Sequence, residues 1–219
     1  MPAQREELTL TGYQSEALPH LFLRQEKALG SALVLPGMGY GLAYPGLHYP
    51  IQLLAELGYD VLGLESRYAN VEFLDADESE QRAWLSADAG AALAAVRAAT
   101  PGIPLCLMGK SVGTVGMASL LQDSELPVGT RLVWLTPLLM REEVWRSITR
   151  SAESSLVVIG TADSAYRPEW LDELRRAGAE MLVLEGADHS FRVADDVSAS
   201  LDRMGELLGR LAAFLAPRS

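Results

Sequence analysis

The chain is 219 residues long, 49% apolar and 21% charged, a balance that suits one folded core and leaves no room for disorder as the dominant state. Its formal net charge of −11 argues against nucleic-acid and anionic-membrane partners, because those are held by clustered Lys and Arg that neutralise phosphates. A single cysteine, Cys106, excludes an internal disulfide and lies in an apolar run, and the 3 histidines (His20, His48, His189) stand too far apart in sequence for a metal motif.

The chain opens MPAQREELTL, which puts Arg5, Glu6 and Glu7 where a secretory leader needs an apolar stretch. No window reaches about 18 uncharged apolar residues, so a cytoplasmic protein without a membrane segment is expected. Residues 8–13 and 21–24 alternate in polarity and predict an antiparallel edge hairpin. Short apolar runs follow at 31–35 (SALVL), 60–64 (DVLGL), 104–108 (PLCLM), 131–135 (RLVWL), 155–159 (SLVVI) and 180–184 (EMLVL). They are nearly continuous rather than alternating, as in strands covered on both faces.

Helical spacing falls between these runs: at 49–57 (Ile51, Leu54, Leu57), 81–99 (Trp84, Leu85, Ala92, Val96), 112–121, 168–177 and 197–215. Gly58 and Gly178 close two of these helices. Residues 66–80 (SRYANVEFLDADESE) read as a long acidic loop, either simply solvated or bordering a cleft. The alternation of strand and helix predicts a single α/β domain over residues 1–219, with a mostly parallel twisted sheet of about seven or eight strands and helices on both faces.

The stretch at 107–116, LMGKSVGTVG, can be read as two machines. A phosphate loop needs GxxxxGK[ST], and the position of its first glycine, 104, is proline in a strand-like run that leaves no loop to wrap a phosphate. A dinucleotide fingerprint at 37–42 (GMGYGL) has Leu42 where the third glycine belongs. The remaining reading is GxSxG, a strand, a sharp turn and a helix with Ser111 at the apex. PLCLM supplies the strand, residues from Val112 onward supply the helix, and Gly109 and Gly113 let the two approach.

On these residues the chain resembles the α/β-hydrolase superfamily, in particular its short lidless members, similar in size to dienelactone-hydrolase-like proteins and small carboxylesterases. The resemblance implies the order nucleophile, acid, base along the chain. SLVVI runs into GTADSAY and so implies Asp163 as the acid; EMLVL runs into EGADHSF and implies His189 as the base. Asp188 adjoins His189 too closely for an aligned contact, Glu185 ends a strand, and the point after the following strand reads WLTPLL without a carboxylate. His20 and His48 have no such place in the order and are expected in packing or solvent.

The oxyanion hole implied is formed by backbone N–H groups, one from Val112 after the nucleophile and one from Met38 in LPGMGYG. That loop has Pro36-Gly37 where the family often has His-Gly, and Gly39 or Tyr40 is the donor if the loop is shifted. Tyr40, Leu138 and Tyr166, with Leu139, Met140 and Trp170, are candidates to line an apolar pocket. Lys110 is expected to point away from it, with no catalytic role. Only ~20 residues separate the strands ending at 135 and beginning at 155, room for one helix and no cap domain.

The expected activity is that of a serine esterase or thioesterase: hydrolysis of a small carboxylic ester or thioester through an acyl-enzyme on Ser111. A fold kept as a binding module with little turnover and an acyltransferase using the same residues are the alternatives. The partners expected are a small ester-type substrate, no nucleic acid and no membrane; the acidic surface is compatible with a homodimer, and no pattern identifies an interface.

Overall fold

The computed structural model describes residues 3–216. Eight strands form one sheet: β1 (Gln4–Glu6), β2 (His20–Arg24), β3 (Gly30–Leu35), β4 (Tyr59–Leu64), β5 (Leu105–Lys110), β6 (Arg131–Leu135), β7 (Ser155–Gly160) and β8 (Glu180–Leu184). Their order in space is β1-β2-β4-β3-β5-β6-β7-β8. From β4 to β8 neighbours run parallel, while β2 pairs antiparallel with both β1 and β4. The helices are α1 (Pro45–Glu56), α2 (Val71–Asp75), α3 (Glu78–Ala99), α4 (Gly113–Asp123), α5 (Glu142–Arg150), α6 (Pro168–Arg176) and α7 (Val197–Leu215). Between β6 and β7 stand only α5 and one 3-10 turn (Ala152–Ser154), so no cap domain is inserted there.

The continuous apolar runs are explained by two cores, one on each face. Within each strand the side chains alternate between them: Leu33, Leu107, Trp134 and Val157 face α3, α4, α5 and α6, whereas Val34, Cys106, Val133 and Leu156 face α1 and α7. Cys106 is buried in the second core, and burial pushes its thiol up to about 12, so it behaves as a small apolar residue. The indole N–H of Trp134 is satisfied in the first core by Ser155 Oγ at 3.0 Å.

The edge hairpin differs from expectation. The strand pairing with β2 is Gln4–Glu6, not residues 8–13, which contribute only an isolated bridge from Thr11 to Ala17 around a 3-10 turn at Tyr13–Ser15. All three residues of β1 are exposed, so they show none of the apolar alternation that marks a half-buried strand. Residues 66–80 are also not one loop. Asn70 Oδ1 accepts from the Phe73 N–H to cap α2, and Asp77 Oδ1 accepts from the Glu80 N–H to start α3 three residues before the apolar spacing begins. Helix α1 starts at Pro45, in the first-turn position that tolerates proline, and carries Pro50 in its interior.

The sheet order reverses beside β3: β4 lies on one side of it and β5 on the other. The connections leaving β3 and β5 therefore depart toward opposite faces, which opens a crevice at the carboxyl ends of these strands. Among the described residues, no helix is long and apolar enough to cross a membrane.

Candidate active site

Ser111 sits in that crevice, between the end of β5 and the start of α4, with φ +52°, a left-handed conformation costly for a residue with a Cβ. The turn is held from both sides. The Ser111 N–H donates to Leu135 O at 3.0 Å, and the Ser111 carbonyl accepts from the Thr114 N–H at 2.9 Å and from Thr114 Oγ1 at 2.5 Å. The flanking glycines are required by close approach. A Cβ on Gly113 would lie 2.5 Å from Leu35 O and 2.6 Å from Pro36 O, and one on Gly109 would lie 2.8 Å from Gly113 O.

Both acceptors facing Gly113 are backbone atoms of the neighbouring strand end, so they cannot rotate away. Gly113→Ala is expected to cost about 1–3 kcal/mol through overpacking, lowering the melting temperature by roughly 2–4 °C for each kcal/mol. Thermal unfolding followed by circular dichroism checks this, and an unchanged midpoint would contradict the packing.

Asp163 follows β7 in a tight turn, its N–H donating to Gly160 O at 3.2 Å. The carboxylate is buried and fully used: Oδ1 accepts from the Ala165 N–H at 2.9 Å, and Oδ2 lies 2.7 Å from His189 Nδ1. Burial alone would raise the Asp163 pKa. The His189 hydrogen bond, the Ala165 N–H and the charges of His189 and Lys110 outweigh it and hold the carboxyl below its ordinary value. The imidazole is thus fixed with Nδ1 as donor and Nε2 as acceptor, the tautomer this hydrogen-bond network assigns.

The loop carrying His189 is built around Asp188, whose Oδ1 accepts from the N–H groups of Ser190 at 2.8 Å and Arg192 at 2.9 Å. Asp188 therefore shapes the turn, and Asp163 is the carboxylate that meets the imidazole. The acid and histidine loops are also tied to one another. Ala162 N–H donates to Ala187 O, Gly186 N–H donates to Thr161 Oγ1 at 2.7 Å, and a Cβ on Gly160 would lie 1.9 Å from Ala187 O.

The turn after β3 completes the crevice. Gly37 and Tyr40 exchange backbone hydrogen bonds of 3.1 and 3.3 Å across Met38 and Gly39, with Gly39 at φ +62°. A Cβ on Gly37 would lie 3.5 Å from the Ser111 Cβ, so this turn adjoins the serine. Ser66 Oγ donates to Gly37 O at 2.6 Å and fixes the turn from behind, a support with no motif in the sequence. Among the described residues, the N–H groups of Met38 and Val112 donate no hydrogen bond to protein, whereas the Tyr40 N–H is used in the turn. Ser111 Oγ likewise makes none, to His189 or to any other described group, and the closed contact is the one between Asp163 and His189.

The other expected residues separate. Tyr40 is buried, its hydroxyl accepting from the Gly46 N–H at 2.9 Å and its ring stacked on Tyr44. Leu138 and Tyr166 are half-buried in the loops that leave β6 and β7 toward the serine's end of the sheet. Leu139, Met140 and Trp170 line a cavity of about 320 Å³ together with Glu142, Trp145 and Glu173. His20 is structural: its Nε2 accepts from the Leu8 N–H at 3.2 Å and its Nδ1 faces Leu18 O at 2.8 Å. Among the described residues, no group of three His, Cys, Asp or Glu side chains could hold a metal ion. Lys110, by contrast, makes contacts its sequence context did not signal: Nζ donates to Thr136 Oγ1 at 2.8 Å and to the His189 carbonyl at 2.5 Å.

No protein-family model and no curated protein sequence matches the chain. Solved structures do. An α/β serine hydrolase homologue from Coxiella burnetii superposes with a TM-score of 0.72 at 18% identity, covering 96% of this chain and 97% of that one. A lidless serine hydrolase from Xanthomonas campestris gives 0.68 at 19% identity over 100% and 98% of the two chains. The esterase Pf2001 of Pyrococcus furiosus gives 0.69 at 15% identity, covering 97% and 92%.

Proposed function

We propose, from the premise that this chain has the α/β-hydrolase fold, that it is a serine hydrolase cleaving a small carboxylic ester or thioester. The observation that carries the reading is the 2.7 Å contact between His189 Nδ1 and the buried Asp163 carboxylate, at the same sheet edge where the left-handed turn presents Ser111. The solved relatives called serine hydrolases and esterases support it.

In the reaction, Ser111 Oγ attacks the carbonyl carbon of the ester while His189 Nε2 takes its proton. Asp163 stabilises the imidazolium that forms. The oxyanion is received by the free N–H groups of Met38 and Val112, each worth roughly 3–4 kcal/mol of barrier by analogy with donors of this kind. Collapse of the tetrahedral adduct breaks the bond to the alcohol or thiol, which leaves with the proton from Nε2. Water then attacks the acyl-serine and gives its proton to Nε2, and as the second adduct collapses that proton passes to Ser111 Oγ and the carboxylic acid departs. Every proton moves through His189, so the cycle closes without a metal or organic cofactor.

The test is intact-mass spectrometry after incubation with a fluorophosphonate at neutral pH. The expected result is one covalent adduct per chain, abolished by Ser111→Ala. A chain that remains unmodified would refute an armed serine and favour a binding module on the same fold.

A further inference from the structure

The chain contains two lysines, Lys27 and Lys110, and the second is fully buried at the last position of β5, immediately before Ser111. A buried ammonium costs several kcal/mol of desolvation unless its protons are matched. Here they are. Nζ donates to Thr136 Oγ1 at 2.8 Å and to the backbone carbonyl of His189 at 2.5 Å, and it faces the rings of Tyr40 and Phe191 at 4.5 and 5.0 Å from their centroids.

Those partners come from separate parts of the crevice: the turn after β3, the end of β6 and the loop after β8. The backbone around them is strained. Ser111 next to Lys110, Thr136 bonded to it and Phe191 packed on it have φ of +52°, +43° and +63°, and for a β-branched threonine this is a genuine outlier. Strain of this kind persists only where the surroundings over-determine it, and it gathers at functional sites.

Stability does not account for the charge. Burial lowers the Lys110 pKa to about 7, against the pull of Asp163 and Asp188. Since the unfolded chain binds this proton more tightly, the group disfavours folding at neutral pH.

We propose that Lys110 is a positioning residue, whose Nζ clamps the backbone of His189 to the strand end that presents Ser111 and so sets the reach of the imidazole to the serine hydroxyl. The proposal rests on the reading of Ser111, Asp163 and His189 as the reacting set. A lost clamp lets the imidazole drift while the substrate surface stays as it was, so the loss falls on kcat and not on KM. A misplacement of about 1 Å is enough for a loss near 10²-fold.

The experiment compares wild type with Lys110→Met, which keeps chain length without donors, and Lys110→Gln, which keeps an N–H donor on a shorter stem. Four quantities are read: melting temperature, kcat and KM for p-nitrophenyl acetate, the fluorophosphonate labelling rate, and the far-downfield proton resonance of His189 Nδ1. For Lys110→Met the expected result is a midpoint at or above wild type, kcat and labelling lower by about 10²-fold, KM unchanged, and the His189 resonance shifted or broadened away. Lys110→Gln is expected to recover part of the rate.

Wild-type rates in the methionine variant would overturn the proposal, as would a rate loss that merely tracks lost folded protein. Failure of both variants to fold would do so too, by making the ammonium a requirement of the fold. If the wild type itself is not labelled, the serine-hydrolase reading fails separately, and the His189 resonance decides alone: movement in Lys110→Met supports the clamp and an unmoved signal overturns it.

Discussion

Replacing Ser111 with alanine is expected to remove the fluorophosphonate adduct and to lower ester hydrolysis by about 10⁶-fold, the scale seen when the nucleophile of a serine hydrolase is deleted. Folding should be nearly untouched, for a structural reason. Ser111 Oγ makes no hydrogen bond among the described residues, and the contacts that hold the turn belong to its backbone N–H and carbonyl. Alanine keeps the Cβ and therefore the same left-handed strain at φ +52°. The stability change should stay within about 0.5 kcal/mol. Rates with p-nitrophenyl acetate and a thermal melt, measured on the same preparations, check both halves. Turnover at the wild-type rate would dismiss Ser111 as nucleophile, and a collapsed melting point would mean the hydroxyl serves the fold.

Asp163→Asn should lower turnover by about 10⁴-fold with little change in geometry, by analogy with the loss on converting the aspartate of a serine-protease triad. The structure supplies the reason. Oδ1 must remain an oxygen, because it accepts from the Ala165 N–H at 2.9 Å, so the new amide nitrogen takes the place of Oδ2, 2.7 Å from His189 Nδ1. There it donates. His189 is then forced into the tautomer with its proton on Nε2, which cannot accept from serine.

The same substitution has a signature in acid. The Asp163 carboxyl is held below its ordinary value of 3.8, where burial is outweighed by the His189 hydrogen bond, the Ala165 N–H and the nearby charges. A depressed carboxyl contributes stability that is complete above its unfolded value and is lost as pH falls through its folded value. The wild type should therefore lose melting temperature below about pH 4 by a component absent from Asp163→Asn. Melting curves taken between about pH 2 and 7 measure it, and identical acid limbs in the two proteins would rule out the depressed carboxylate.

Much of this arrangement is legible along the chain, and the reason is locality. The six apolar runs are six parallel strands because residues packed on two faces leave no polar alternation, buried in the inner strands and half-buried in the edge strand β8, and Leu33 and Val34 belong to different cores although they are neighbours. The GKSVG turn is only partly local: Gly109 is needed because strand and helix meet within five residues, whereas Gly113 is needed because the carbonyls of Leu35 and Pro36 at the end of β3 pack against it. The exposed QRE strand is not legible in the sequence, for the converse reason. Its pairing rests on backbone hydrogen bonds to β2, and such bonds write nothing into side-chain pattern. The capping of α2 by Asn70 inside an acidic stretch was hidden in the same way, by one side-chain contact within a loop-like composition.

By itself the sequence determined the fold class and the serine turn, whose signals lie a few positions apart, while the order in which Asp163 and His189 follow Ser111 came from the family resemblance that the turn carries. The tertiary structure supplied the contact of Asp163 with the imidazole and the positive reason that the adjacent Asp188, already set aside by its place in the chain, takes no part in it, since Asp188 is consumed by the N–H groups of its own turn. It alone revealed what Lys110 touches. A lysine beside a serine is a charge of unknown direction until the fold brings up the carbonyl of His189 from 79 residues away and closes the rings of Tyr40 and Phe191 over it. Burial is a property of the whole packed chain, and a buried charge takes its meaning from partners that no local pattern can name.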